Sequence, residues 1–384
     1  MKKYLLVFAV LLSIVLLTAC NNSNDGPHKY QVAVSNGVYM VCSGNQASGI
    51  NGSLTYYDYT GKTAVKDVYS TANSGQSLGL TANDALRYGE KLYIVSDGEH
   101  SVFVCNANTL RLIHRIDMTS ESMLGETGGV NPRRIAADDG KIYVSTYGGF
   151  VAAIDTTNFA LVNKYQVGSY PEGIAISNGY LVVANSDYGN GNASISLIDT
   201  STGTAQTLKD ENIRNPQTIA IAGSDIYFLD WGQYGPAPTY AQENAGVYRI
   251  TGTSASSITV TKIITDATEM ACAGTTIYTV NAPYAYGVSN PITYSAYDII
   301  SGSKKDYTLD EIEYPVCIGV DPLTGKIYIA ARQGITNEWG SYADYSADGY
   351  VNIYDTSFTK VGNFACGVGP TRFVFNIGYE EIEY

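Results

Sequence analysis

"NPRRIAADDGKIYVSTYGGFVAAIDTTNFALVNKYQVG" spans residues 131–168, and "YPEGIAISNGYLVVANSDYGNGNASISLIDTSTG" follows at 170–203. Both stretches place a Pro second, then an "IA" step, a Gly turn, an apolar run and a closing "IDT". Each reads as strand, tight turn with Gly, strand, loop, strand ending in Asp-Thr, turn, strand. The alternating β-branched and aromatic residues carry a period of two, and no helical period competes with it. Further copies stand at "NPQTIAIAGSDIYFLD" (215–230), "ATEMACAGTTIYTVN" (267–281) and "YPVCIGVDPLTGKIYIAA" (314–331). A more worn copy is "NDALRYGEKLYIVSDGEHSVFVCNANT" (83–109). The copies begin about 40 to 50 residues apart, the length of a four-stranded propeller blade.

The two ends of the repeat array complement each other. "GVYMVCSGNQASGINGSLTYYDYTGKTAV" (37–65) has a second and a third strand but a doubtful first one, whereas "GPTRFVFN" (369–376) is a first strand without the rest of a blade. Residues 370–376 are therefore expected to pair with the 37–59 region, which would remove an exposed sheet edge. The expected fold is all-β: a seven-bladed β-propeller of four-stranded blades, closed by the C-terminal strand, as one domain over residues 31–384.

Ahead of that domain, Lys2 and Lys3 precede a sixteen-residue apolar run, 4–19, too short for a membrane span and of the length of a signal-peptide core. It ends in Leu17-Thr18-Ala19-Cys20, which resembles the lipobox of bacterial lipoproteins, with Cys20 the lipidated residue and 20–30 a polar tether. Removing residues 1–19 takes Lys2 and Lys3 from the 23 basic residues and leaves 21 against 36 acids, a formal charge of −15. Such a surface repels nucleic acid and anionic lipid. Cys42, Cys105, Cys272, Cys317 and Cys366 form no CxxC pair, so they read as small core residues, with one disulfide left open.

The units resemble YVTN/YncE-type propeller repeats. "NPRRIAADDGKIYVSTYGGFVAAIDT" and "PEGIAISNGYLVVANSDYG" resemble the surface lipoproteins of Bacteroidetes, among them the BtuG group. The resemblance covers nearly the whole chain after the leader. It implies a surface-exposed outer-membrane lipoprotein that captures cobalamin and passes it to a TonB-dependent transporter.

The loops between second and third strands carry the remaining signal. "DWGQYGPAPTYAQENAG" (230–246) is far longer than a hairpin needs. Its equivalents are "ANSDYGNGNAS" (184–194), "VNAPYAYGVSNPITY" (280–294) and "AARQGITNEWGSYADYSADG" (330–349), whereas "STYGGF" in the 131–168 unit is minimal. With residues 229–246, the long loops hold both tryptophans, eight tyrosines, six acids and one cation, Arg332. Tyr and Trp give flat contact area with a polar edge, and amides both donate and accept. That chemistry suits a large neutral or cationic ligand rimmed with amides or hydroxyls: a corrinoid or an oligosaccharide. Packing of the rings on one another is the competing explanation. The candidate wall is Asn185, Asp187, Tyr188, Trp231, Tyr234, Tyr240, Tyr284, Tyr286, Arg332, Trp339 and Tyr342. Arg133, Glu172 and Gln217, each just after the start of an innermost strand, form a second candidate set at the mouth of the channel.

Enzyme signals are weak. His28 lies in the tether, His114 in an outer strand, and His100 in a loop without a second His. "TGKT" (60–63) lacks the Gly a phosphate-binding loop needs, since Tyr56 stands there. "DYGNGN" (187–192) holds oxygens that could suit calcium, but Asp-Gly turns are the simpler explanation. The expected function is capture without catalysis, with no cofactor and no metal. Glycan binding, a propeller-type lyase or lactonase, and a surface interaction module are the alternatives.

Overall fold

The computed structural model describes residues 29–223, 225–252, 258–285, 290–309, 311–338 and 340–383. The expected leader 1–19, Cys20, the tether up to His28, Tyr286 and Trp339 lie outside the described residues. The rest forms seven four-stranded antiparallel sheets and two two-stranded hairpins. In chain order the sheets are called one to seven.

Sheet three shows how a repeat folds. Its strands are Pro132–Asp138, Lys141–Thr146, Phe150–Asp155 and Leu161–Gln166, in that spatial order. Asp139 and Gly140 turn the first hairpin with φ of 45° and 70°, the left-handed pair of a type I′ turn; Asn178 and Gly179 repeat it in sheet four with 51° and 78°. The Asp that closes each third strand works on the next turn. Asp155 accepts backbone N–H bonds from Thr157 (2.7 Å) and Asn158 (3.0 Å), and Asp199 accepts them from Ser201 (2.9 Å) and Thr202 (3.3 Å).

Second strands are apolar on both faces because both faces are covered. Ile142 and Val144 enter a cluster shared with sheet two, while Tyr143 enters one shared with sheet four. Leu92 and Ile94 divide from Tyr93 and Val95 in the same way. Clusters of this kind join sheets one and two, two and three, three and four, four and five, five and six, six and seven, and seven and one. Each fully buried aliphatic or aromatic side chain contributes about 1.5–3 kcal/mol.

Sheet one is assembled from both ends of the described chain, in the order Pro370–Glu383, Lys29–Cys42, Ser53–Asp58, Thr63–Val65. Its first strand is entered as in sheets two, three and four. Thr81, Asn131 and Tyr170 have φ of 59°, 51° and 48°, and their carbonyls accept from the N–H of Asp97 (3.0 Å), Tyr147 (3.2 Å) and Ser186 (3.1 Å). Gly369, with φ of 67°, accepts from Ser43 at 2.7 Å. Residues 29–33 and 379–383 form a small unit of their own, in which Lys29 Nζ lies 2.5 Å from Glu381 and 3.4 Å from Glu383. Everything described below belongs to the larger unit, residues 34–378.

Two local features depart from the sequence expectation. Short helices occupy connections at Val68–Ala72 and Gly125–Gly128. The long loops of sheets five and seven carry hairpins of their own, Gln233–Tyr234 with Gln242–Glu243 and Gly334–Asn337 with Gly340–Ala343. Among the described residues no helix is long and apolar enough to cross a membrane.

Candidate ligand-binding face

Arg133 is the centre of the best-defined polar cluster. Its Nε and Nη2 donate to the two carboxylate oxygens of Glu172 at 3.2 and 3.1 Å, and its Nη1 donates to Asp97 at 3.3 Å. The guanidinium lies 4.6 Å from the centre of the Tyr147 ring, and the Tyr147 hydroxyl donates to Glu172. Burial works against the Arg133 charge, but Glu172, Tyr147 and Asp97 together hold its pKa above the usual range. Burial, then Glu172, also raises the Tyr147 phenol. Outward of this base, Tyr147, Tyr170 and Tyr188 form a three-ring group with centroids 4.2–5.4 Å apart. Asp97 also accepts from Asn131 Nδ2 at 3.0 Å, and His100 Nδ1 accepts from the Asn131 N–H at 3.2 Å. The structure thus brings three candidates together, Arg133, Glu172 and Tyr188. It adds Asp97, His100, Tyr147 and Tyr170, which sequence reasoning did not select. Tyr147 was missed because its loop is short; the aromatic residue in "STYGGF" was the only available signal.

The two longest loops are tied to neighbours. Gln242 of the 230–246 loop is tied to Tyr284 across sheets five and six: its N–H donates to the Tyr284 carbonyl at 2.8 Å, and its Oε1 accepts from the Tyr284 N–H at 3.4 Å. In sheet seven, Tyr345 and Ser346 accept from Asn45 Nδ2 at 2.9 and 3.3 Å, which joins that loop to sheet one. Tyr234, Tyr240, Tyr284 and Tyr342 stand on these loops and Tyr188 on the 184–194 loop, with 42–54 % of their surface exposed. Tyr234 and Tyr284 meet edge to face at 6.2 Å. Arg332 is half-buried with its guanidinium 4.6 Å from the Tyr345 ring centre, and burial lowers its pKa.

Four of the candidate ligand contacts make hydrogen bonds within the chain. Asn185 is fully buried; its amide donates to Ser194 and Ser196 and accepts from the Gly168 N–H, which leaves one acceptor site and no free donor. Asp187 is buried and accepts from the Asn192 N–H at 2.9 Å inside its own turn. Trp231 packs against the apolar cluster between sheets five and six, and its Nε1 donates to the Thr268 carbonyl at 2.8 Å. Gln217 Nε2 donates to Asn215 Oδ1 at 2.6 Å. No group of three or more His, Cys, Asp or Glu suited to a metal occurs among the described residues.

A second charged group forms where innermost strands converge. Arg372 Nε lies 3.3 Å from Asp84, whose carboxylate also accepts from the N–H of Ala85 (2.9 Å) and Ile135 (3.1 Å). Arg134 and Glu269 sit in the same field, with Cys317 beside them. The strand pairing explains why Glu269 arrives here. Sheets two, five and seven have a register shift at this point, so Asp84, Thr218 and Cys317 pair one step further along; sheet six has none, and Glu269 takes the equivalent place opposite Val280. In sheet four Gly173 stands here, because a Cβ would strike the Gln217 carbonyl of the adjoining strand.

Burial pushes the Glu269 carboxyl up from 4.5 to about 8, against the pull of Arg134 and Arg372. An acid with a raised folded pKa binds its proton more tightly in the folded chain, so its contribution is greatest below the unfolded value and falls as pH rises towards 8. The slope cannot exceed about 1.4 kcal/mol per pH unit. Melting temperatures between pH 5 and 8 should therefore decline more for the native chain than for Glu269→Gln. Parallel pH profiles would contradict this.

These sheets and loops define a β-propeller-like all-β protein with a tyrosine-rich loop face. The chain belongs to the family described as "Domain of unknown function (DUF5074)", which matches residues 36–363. In structure it is similar to hydrazine synthase from Kuenenia stuttgartiensis, with a TM-score of 0.55 and 15 % identity over 79 % of this chain and 95 % of that one. The computationally designed Ika8 protein gives a TM-score of 0.48 with 12 % identity, over 74 % of this chain and 86 % of that one. No curated protein matches the chain.

Proposed function

We propose that the chain is a closed seven-bladed β-propeller that captures a large amide- or hydroxyl-rich small molecule on its loop face. A cobalamin-type corrinoid is the first candidate, bound without chemistry and handed to an outer-membrane TonB-dependent transporter. Closure is supported by the apolar cluster between sheets seven and one and by the entry at Gly369, which follows the pattern of Thr81, Asn131 and Tyr170. The lipobox-like run ending at Cys20 supports a lipid-anchored, surface-exposed outer-membrane protein, and the YncE and BtuG likeness supports the ligand class. Membrane fractionation of Cys20→Ala tests the anchor.

The observation that carries capture is the set of half-exposed tyrosines, most of them on loops tied to a neighbouring sheet. Tethering lowers the entropy lost on binding, and rings with a polar edge suit a flat ligand rimmed with amides. Calorimetric titration with cyanocobalamin tests the reading. Tyr188→Ala and Tyr234→Ala should each weaken binding by roughly tenfold, about 1.4 kcal/mol, with little change in Tm. Trp231→Ala should behave oppositely and cost about 3 kcal/mol of stability, because the ring packs on the core. Absence of heat at micromolar protein would refute the corrinoid, and neutral oligosaccharides would then be titrated against the same tyrosine variants.

A further inference from the structure

Cys42 ends the second strand of sheet one, and Cys366 lies in the outermost strand of sheet seven, Lys360–Val368. Both are completely buried in the one apolar cluster those sheets share. The chain segments beside them are bonded to each other: the Ser43 N–H donates to the Gly369 carbonyl at 2.7 Å and the Gly44 N–H to the Val368 carbonyl at 2.9 Å. Gly367, next to Cys366, lies against Cys42; a Cβ there would be 3.4 Å from Cys42 Sγ. The two thiols are neighbours in that cluster, close enough for one to act on the other's proton, and both are free in this structure. Cys105, Cys272 and Cys317 have no such thiol partner among the described residues.

We infer that Cys42 and Cys366 are a disulfide-forming pair that locks sheet one to sheet seven when the chain folds under oxidising conditions. The oxidant is a small-molecule disulfide. The thiolate of one cysteine attacks a sulfur of that molecule, forming a mixed disulfide and expelling one thiolate. The second cysteine, losing its proton to solvent, then attacks the protein sulfur of the mixed disulfide and expels the other. Two protein thiols are oxidised and one small-molecule disulfide is reduced to two thiols. The neighbouring Cys42 and burial hold the Cys366 thiol well above its usual pKa, and both thiols are fully buried, so an oxidant or reductant does not reach the folded pair. The first attack therefore precedes burial of the pair, the second occurs as sheets one and seven meet, and the finished bond is shielded from reductant. The bond would close a loop of roughly 320 residues, where loss of unfolded-chain entropy is large.

The test is to refold the full chain from denaturant with a mixture of oxidised and reduced glutathione. A non-reducing digest should contain a peptide pair joining Cys42 to Cys366, 2 Da lighter than the two thiol peptides together. The oxidised protein should melt roughly 5 °C above the same protein refolded in dithiothreitol. Cys366→Ala should show no such difference between oxidising and reducing refolding, which separates the bond from any loss of core packing. Recovery of both residues as thiols, linkage of either to another cysteine, or equal melting temperatures in the two refolds would each overturn the inference.

Discussion

Removal of residues 370–384 is expected to leave a chain without a cooperative melting transition that elutes as aggregate. The deletion takes away the first strand of sheet one, with Phe373 and Val374 from two different apolar clusters. At about 1.5–3 kcal/mol for each fully buried side chain, these two alone approach the lower end of a typical domain's 5–15 kcal/mol. Phe375, packed against the second of those clusters, goes with them. The strand Lys29–Cys42 would then present unpaired backbone groups, a template for association with another chain. Asp84 would lose its Arg372 partner while remaining buried. Size-exclusion chromatography with circular-dichroism melting checks this. A monomeric truncation melting within a few degrees of the full chain would show that the strand is dispensable.

Arg133→Ala is expected to cost about 3–5 kcal/mol, the range for removing one partner of a buried ion pair. Among the described residues Glu172 keeps only the Tyr147 hydroxyl as a side-chain donor, with 5 % of its side chain exposed. Tyr147 also loses the guanidinium beside its ring. Most of this cost comes from the stranded carboxylate, so Arg133→Ala with Glu172→Gln should be more stable than Arg133→Ala alone. Urea denaturation of the two variants measures the difference. A double variant no more stable than the single one would mean that lost packing, rather than unpaired charge, dominates. Arg133 and Glu172 thus form the base under the three tyrosines, with little freedom to meet a ligand's charge themselves.

Three candidate wall residues bond within the chain for related reasons. Asn185 and Asp187 looked like ligand contacts because short polar residues in a long loop read as exposed. In the fold both turn inward and hydrogen-bond nearby groups of the chain. Trp231 begins an aromatic loop, yet its side chain crosses to Thr268, thirty-seven residues away. Tyr234, Tyr240 and Tyr284 kept the exposure expected of them, because they stand further out on the same loops.

What the amino-acid sequence determined by itself rests on interactions within a few residues. The repeat length, the period-two apolar pattern, the Asp139-Gly140 and Asn178-Gly179 turns and the Asp155 and Asp199 caps all act within one hairpin. Tertiary structure alone decided the contacts between repeats. It brought Tyr147 of a minimal loop against Tyr188, and Arg133 onto Glu172, thirty-nine residues apart. It set Glu269 among Arg134 and Arg372 through a register that no local pattern marks. It also seated Cys42 beside Cys366 across nearly the whole chain. Such contacts depend on how neighbouring sheets pack, and packing is a property of two surfaces meeting rather than of either strand's own sequence.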